Sequence, residues 1–96
     1  MSGIPAKHRK ELFALFSSVK NDREAELLLT DLLTPKELET LAERWQLVKM
    51  LAKGAPQRDV SKKLGISISK VTRGSKSLQY GQGGFEYFLQ KLRKRK

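Results

Sequence analysis

The segment 57–78, QRDVSKKLGISISKVTRGSKSL, constrains the fold more than any other part of the chain. Val60 fits the inner face of a short helix, and Gly65 stands where that helix would end, because glycine readily adopts the left-handed backbone of a helix C-terminus. Ser67 is a residue type that caps helix N-termini, and Val71 provides an apolar contact from the second helix to the first. The spacing therefore predicts a helix-turn-helix, two short helices joined by a tight turn. Further residues that fit this pattern are Ser61, Leu64 and Ile66.

The outward residues of this predicted hairpin have the composition of a DNA-reading surface. Lysine and arginine bind guanine or phosphate, hydroxyl groups bind either, and an aliphatic side chain such as Ile68 contacts a thymine methyl group. The alternative is a compact helical hairpin without DNA binding, which needs only a glycine and two or three apolar contacts. We predict that the phosphate backbone is held by Gln57, Arg58, Lys62 and Lys63. We predict base-edge contacts from Ile68, Ser69, Lys70 and Thr72, with Ser67, Arg73 and Lys76 completing the surface.

The position of the positive charge favours the DNA-binding interpretation. The formal net charge is +10, yet residues 1–48 carry seven Lys or Arg against eight Asp or Glu, whereas residues 49–96 carry thirteen against two. The basic half of the chain contains the hairpin, as expected of a surface that lies on a phosphate backbone. A basic amphipathic membrane binder would need one continuous helix with a broad apolar face, and Gly65 interrupts this one.

Composition argues against several other classes of protein. The chain has 96 residues, of which 39% are hydrophobic, so we expect one small domain, 1–96, that gains stability by associating. It contains no cysteine and a single histidine, His8, and therefore offers neither a disulfide nor a metal cluster. No apolar run resembles a membrane span or a signal peptide, and no catalytic set or phosphate loop is recognisable. We expect a cytoplasmic, non-enzymatic protein without membrane contacts.

The remaining sequence predicts further helices, about six short ones in all, and hence an all-α fold. After a flexible tail, residues 1–6, apolar residues at three- and four-residue spacing predict a first helix from Lys7. Asn21 and Glu24 form a capping-box pattern that begins a second helix. Leucines crowd more than one face of that helix, and a short chain has few helices with which to cover them. The pattern favours an intertwined homodimer.

The third helix is predicted to begin at Thr34, which caps it, with proline following at the first helical position. It is predicted to run to about Lys53. Its apolar spacing predicts a buried face of Leu38, Leu41, Ala42, Trp45, Val48 and Leu51. A last helix is predicted after the glycine-rich segment 80–84, and it ends in a basic tail, 91–96, which is either a solvated terminus or a loose phosphate contact.

Four local sequences between residues 32 and 78 coincide with those of a known family. They are a Leu-Thr-Pro helix start, an arginine early in the central helix, a first hairpin helix that begins Gln-Arg-Asp and so resembles the Gln-Arg-Glu type of the family, and, most specifically, Thr72-Arg73-Gly74-Ser75. On these residues the chain resembles the Trp operon repressor family. It departs from the family pattern in a shorter loop at Ala55-Pro56, in Lys70 where a threonine is common, and in the glycine-rich segment 80–84, which resembles that of a related subgroup.

The resemblance implies a six-helix subunit in an interleaved homodimer that binds a pseudo-palindromic operator. It implies L-tryptophan as corepressor and no other cofactor, with Arg44 and Arg73 sandwiching the indole ring and Arg73 also pairing with the carboxylate. A guanidinium stacks on an indole face and grips a carboxylate in a fork, which lysine cannot do. Spacing alone instead favours Arg44 as a solvated arginine paired with Glu43 or Glu37. The resemblance also implies that the ligand ammonium is bound by Ser77 and by carbonyl groups near Asp31, Leu33 and Thr34 of the other subunit. It implies that the apolar floor of the pocket is formed by Leu47, Val48 and Gly74.

Two functional hypotheses follow from these residues and this resemblance. The first is a ligand-gated transcriptional repressor of tryptophan biosynthesis or transport genes, with double-stranded operator DNA, L-tryptophan and a second copy of itself as partners. The second is a related DNA-binding protein that is constitutive or responds to a different effector. A basic protein-interaction module would require the hairpin match to be accidental.

Overall fold

Six helices form within the part of the chain that the structure describes, as expected from the sequence. The computed structural model describes residues 3–94, and no strand occurs among them, which confirms the all-α fold. Residues 1–2 of the predicted tail and 95–96 of the predicted basic tail lie outside the described residues, whereas Ala6 and residues 91–94 are helical. The helices are α1 (Ala6–Ser17), α2 (Asp22–Leu32), α3 (Pro35–Ala52), α4 (Gln57–Leu64), α5 (Ile68–Tyr80) and α6 (Gly84–Lys94).

Two compact units divide the chain, an N-terminal unit (Met1–Leu38) and a C-terminal unit (Glu39–Lys96). None of the described helices combines the length and apolar character needed to cross a membrane.

Side-chain caps fix the starts of α2 and α3 where the sequence predicts them. The Asn21 Oδ1 atom accepts a hydrogen bond from the Glu24 backbone N–H at 2.9 Å. At α3 the bonds are reciprocal, because the Thr34 hydroxyl accepts from the Glu37 N–H at 3.1 Å and the Glu37 carboxylate accepts from the Thr34 N–H at 2.8 Å. Each bond satisfies a backbone donor that the first helical turn leaves without a partner. Residues adjacent in sequence therefore determine where these helices begin.

The helices of the N-terminal unit leave bulky apolar groups uncovered. Neither α1 nor α2 contains a buried residue. Phe13 is 60% exposed and Leu27 is 57% exposed. Fully burying a side chain of this kind is worth about 1.5–3 kcal/mol. The apolar faces of α1 and α2 therefore contribute little of that stabilisation within one chain.

The core of the C-terminal unit lies where the end of α3 meets α4 and α5. Val48, Val60 and Val71 are fully buried, and Leu47 is nearly so. Leu51 is half-buried and packs against the cluster formed by Leu47, Val60 and Val71. The predicted burial of Val48, and the apolar contact between the two hairpin helices, are therefore confirmed.

The rest of the predicted buried face of α3 is not buried in this chain. Leu41 and Ala42 are exposed, so the prediction was wrong for both, and Leu38, Trp45 and Leu51 are only half-buried. The physical reason is that the core gathers around the C-terminal half of α3, near Leu47, Met50 and Leu51. Apolar periodicity identifies the face that avoids water, but it does not say what covers it.

The turn between α4 and α5 follows the predicted pattern. Gly65 has a φ of 66°, in the left-handed region. The Ile66 N–H donates to the Ser61 carbonyl at 3.1 Å, and the Ser61 hydroxyl donates to the Ile66 carbonyl at 2.6 Å. The Ser67 hydroxyl oxygen then accepts from the Lys70 N–H at 3.2 Å. The hydroxyl group of Ser61 therefore helps to close the turn between α4 and α5.

Candidate DNA-binding surface and ligand pocket

Every residue predicted to contact DNA is exposed, on α4, on α5 or at the Ser67 cap between them. The two helices are joined across this surface at Thr72, whose hydroxyl lies 3.1 Å from Gln57 Oε1 and 3.0 Å from the Ile68 carbonyl. Arg58 and Lys63 add positive charge on α4. The surface therefore has the exposure and charge that phosphate binding requires. The contact made by each of these residues remains a prediction.

A pocket of 430 Å³ lies beside α3 and α5 in the C-terminal unit, a volume that suits a small molecule. Leu47 and Val48 are buried and provide apolar walls, whereas Arg44 and Arg73 are exposed and add positive charge to the lining. The structure thus brings together six of the residues predicted to bind a ligand: Arg44, Leu47, Val48, Arg73, Gly74 and Ser77.

The pocket wall depends on a close approach of α5 to α3 at Gly74. A Cβ atom at this position would overlap the Leu47 Cδ2 atom and stand 3.0 Å from Leu47 Cγ. Leu47 is 4% exposed and packs with Val60 and Val71, so it has little room to move aside. Gly74 is not among the glycines with positive φ. Packing against α3, and not backbone conformation, is therefore what requires glycine here.

Three predicted ligand contacts belong to the N-terminal unit. Asp31 lies at the end of α2, and Leu33 and Thr34 separate α2 from α3. The Thr34 carbonyl already accepts from the Leu38 N–H at 2.9 Å, and its second lone pair can accept from a ligand. The resemblance assigns these carbonyl groups to the pocket of a partner subunit, and that role remains a prediction.

Glu43 and Lys70 line the pocket, although neither was predicted as a pocket residue. Their side chains form an ion pair, with Lys70 Nζ 3.6 Å from Glu43 Oε1. Glu37, the other carboxylate considered as a partner of Arg44, is engaged in the cap of α3. The carboxylates proposed by the alternative interpretation of Arg44 thus have other partners.

Phe85 is a further pocket residue that the sequence did not indicate, and Thr40 and Ile66 complete the set. The centroid of the Phe85 ring lies 6.3 Å from that of the Trp45 ring, and the angle between the two ring planes is 35°. Both side chains are half-buried. The Trp45–Phe85 and Glu43–Lys70 pairs join residues that are distant in sequence, so no local spacing could have revealed them.

A basic helix-turn-helix whose second helix also forms the wall of a ligand-sized pocket is the arrangement of a DNA-binding regulator. The Trp repressor protein family model matches residues 7–93. The chain therefore belongs to the Trp repressor family, whose members are non-enzymatic transcription regulators that bind operator DNA.

Similar proteins cover most of the chain. A Trp operon repressor homolog from Vibrio campbellii is 38% identical over 74 residues, which are 76% of this chain and 74% of that protein. The uncharacterized protein YerC of Bacillus subtilis is 30% identical over 87 residues, 88% of this chain and 84% of that protein. The crystal structure of a TrpR-like protein from Eubacterium eligens superposes with a TM-score of 0.85 at 29% identity, over 91% of this chain and 90% of that one. The predicted family and fold are both confirmed.

Proposed function

We propose that this protein is a transcriptional repressor gated by L-tryptophan, acting on operators of tryptophan biosynthesis or transport genes. The observation that carries the proposal is the pocket beside α5, where Arg44 and Arg73 accompany the apolar walls of Leu47 and Val48. The apolar walls suit an indole ring, the two guanidinium groups can stack on its faces, and Arg73 can grip a carboxylate in a fork. The Ser77 hydroxyl and carbonyl groups of a partner subunit would receive the ammonium group.

The proposed repressor acts as a homodimer. Support comes from the uncovered apolar residues of α1 and α2, and from Phe88 and Leu92 of α6, which are also exposed. A two-fold dimer would place its two α5 helices in successive major grooves of a pseudo-palindromic operator, about 34 Å apart. A ligand packed between α3 and α5 would fix the angle of each hairpin, so that both helices enter their grooves together.

L-tryptophan is expected to tighten operator binding by roughly 5- to 150-fold, the range given by a typical coupling of about 1–3 kcal/mol. The ligand can do this only by binding better to the arrangement that fits DNA. Arg73→Lys is expected to remove most of the effect, because the fork and the stacked plane are lost although the charge stays. Fluorescence anisotropy of a labelled duplex, selected from random sequences by the unaltered protein, measures the effect at fixed salt.

Arg93→Lys, on the exposed face of α6, is the matched control and should retain the full response. The corepressor proposal fails if L-tryptophan neither binds in calorimetric titration nor changes DNA affinity.

Phe85 favours a second candidate function, a family member that is constitutive or responds to a different effector. Its side chain adds an aromatic wall to the pocket, and the resemblance does not predict that wall. Calorimetric titration with L-tryptophan and close analogues separates the two candidates, because an analogue that binds more tightly and alters DNA affinity would identify a different effector.

Lys63→Ala is expected to weaken binding to all duplexes by a similar factor. It should also reduce the slope of log binding constant against log salt concentration by about one for each phosphate contact that is lost. Lys63 is exposed near the end of α4, and a side chain that binds phosphate reads no base sequence. Titrations of the selected duplex and a scrambled one at several salt concentrations measure both effects. Lys20→Ala, the same charge change between α1 and α2, is the control. A weakening confined to the selected duplex, with an unchanged salt slope, would contradict a backbone role.

A further inference from the structure

Phe85 gives the pocket a wall that comes from neither α3 nor the α4–α5 hairpin. Among the described residues, the rest of the lining is contributed by α3, by α5 and by Ile66 of the turn. The lining residues of α3 recur at three- and four-residue spacing, as do those of α5, so each helix presents one face to the pocket. A cleft between two helical faces is open along its length and accepts side chains of different sizes. A third wall, at the start of α6, sets a limit to that size.

Two features hold the Phe85 ring in place. The 6.3 Å between the centroids of the Phe85 and Trp45 rings lies within the range of about 4.5–7 Å in which aromatic pairs attract each other. Trp45 is half-buried and does not line the pocket among the described residues, so it supports the ring from outside the pocket. Gly83, with a φ of 88°, turns the chain just before α6, and its carbonyl accepts from the Tyr87 N–H at 3.0 Å. The ring is therefore fixed both by its aromatic partner and by the backbone that carries it.

We infer that Phe85 determines which aromatic amino acid the pocket accepts, by limiting the size of the ligand's ring system. The inference rests on the proposed function, because it takes the ligand carboxylate to be held by Arg73 and the ammonium group by Ser77. A ligand anchored at both groups cannot slide away from an obstacle, and the apolar floor cannot yield, since Leu47 is only 4% exposed. A ring that is too large therefore meets Phe85. The ligand class that fits is an α-amino acid with a planar ring that packs against the Phe85 ring in a tilted or edge-on arrangement.

The test compares L-tryptophan with 3-(2-naphthyl)-L-alanine, whose ring system is larger, by calorimetric titration. Phe85→Ala is expected to weaken L-tryptophan binding by roughly 2- to 12-fold, the value of one aromatic contact. It should also move the ratio of the two affinities by roughly tenfold in favour of the larger ring, the discrimination that one extra carbon commonly brings. Phe85→Trp adds bulk at the same place, so it should move the ratio in the opposite direction. A general loosening of α6 would instead lower both affinities by the same factor.

Tyr87→Ala is the matched control, because it truncates another aromatic residue of α6 that is 61% exposed and is absent from the described pocket lining. Its affinity ratio should equal that of the unaltered protein. The size limit is overturned if the two Phe85 variants leave the ratio unchanged or move it the same way, or if Tyr87→Ala moves it as far. The corepressor proposal then stands as long as L-tryptophan binds.

Two further outcomes separate the size limit from the corepressor proposal. If the unaltered protein binds neither ligand and Phe85→Ala binds at least one, the corepressor proposal fails, and Phe85 is the wall that excludes these ligands. If neither protein binds either ligand, the corepressor proposal and the size limit both fail.

Discussion

Gly74→Ala is expected to lower the free energy of unfolding by about 2 kcal/mol. A severe overlap with a buried side chain costs about 3 kcal/mol, the upper end of the range for overpacking, and the better helix propensity of alanine offsets about 1 kcal/mol of that cost. The added methyl group would overlap Leu47 Cδ2 in a core where Leu47 is only 4% exposed. Relief requires α5 to move away from α3, which would also deform the pocket. Urea unfolding followed by Trp45 fluorescence measures the change.

Two comparisons isolate the cause of this destabilisation. Gly84→Ala changes another helical glycine, at which a Cβ atom would meet nothing within 4 Å, so it is expected to leave stability equal or higher. In a Leu47→Ala background the overlap is gone, and Gly74→Ala should no longer destabilise. An undiminished destabilisation in that background would show that the contact with Leu47 is not responsible.

The features that the sequence predicts correctly are local ones. The caps of α2 and α3 involve residues three apart, Asn21 with Glu24 and Thr34 with Glu37. The α4–α5 turn similarly depends on Gly65 and its neighbours, because a left-handed residue can end a helix without reference to the rest of the fold. The ligand residues on α3 and α5 were placed by the family resemblance, and the structure brings Arg44 and Arg73 to one pocket.

The features that the sequence did not predict depend on tertiary packing. Leu41 is an example, because its position in the apolar pattern of α3 is that of a core residue, yet no element of the described chain buries it. The position of Phe85 depends on how α6 folds back after the glycine-rich segment. The partner of Lys70 depends on the crossing of α5 over α3. These features depend on residues that are far apart in sequence, so no local sequence pattern predicts them.

The uncovered faces of α1, α2 and α6 are the basis of the dimer prediction. Phe13 is 60% exposed and Phe16 46%, while Phe88 on α6 is 49% exposed. Monomeric proteins rarely leave large contiguous apolar patches in water. A second copy that covers these faces would supply the burial that α1 and α2 lack within one chain.

The midpoint of unfolding is therefore expected to rise with protein concentration. Each tenfold increase in concentration should raise the apparent free energy of unfolding of the dimer by about 1.4 kcal/mol. If the dimer buries Phe13, Phe13→Ser is expected to destabilise it by on the order of 3 kcal/mol per subunit, the cost of truncating a buried phenylalanine. If Phe13 stays exposed to solvent, the same substitution should change stability by no more than about 0.5 kcal/mol. Lys10→Ser, on the same helix, is the control for helix propensity and should be nearly neutral. Chemical denaturation across a dilution series, with sedimentation at each concentration, measures both effects. A folded monomer at micromolar concentration, together with a neutral Phe13→Ser, would show that the chain does not need a partner to cover these faces.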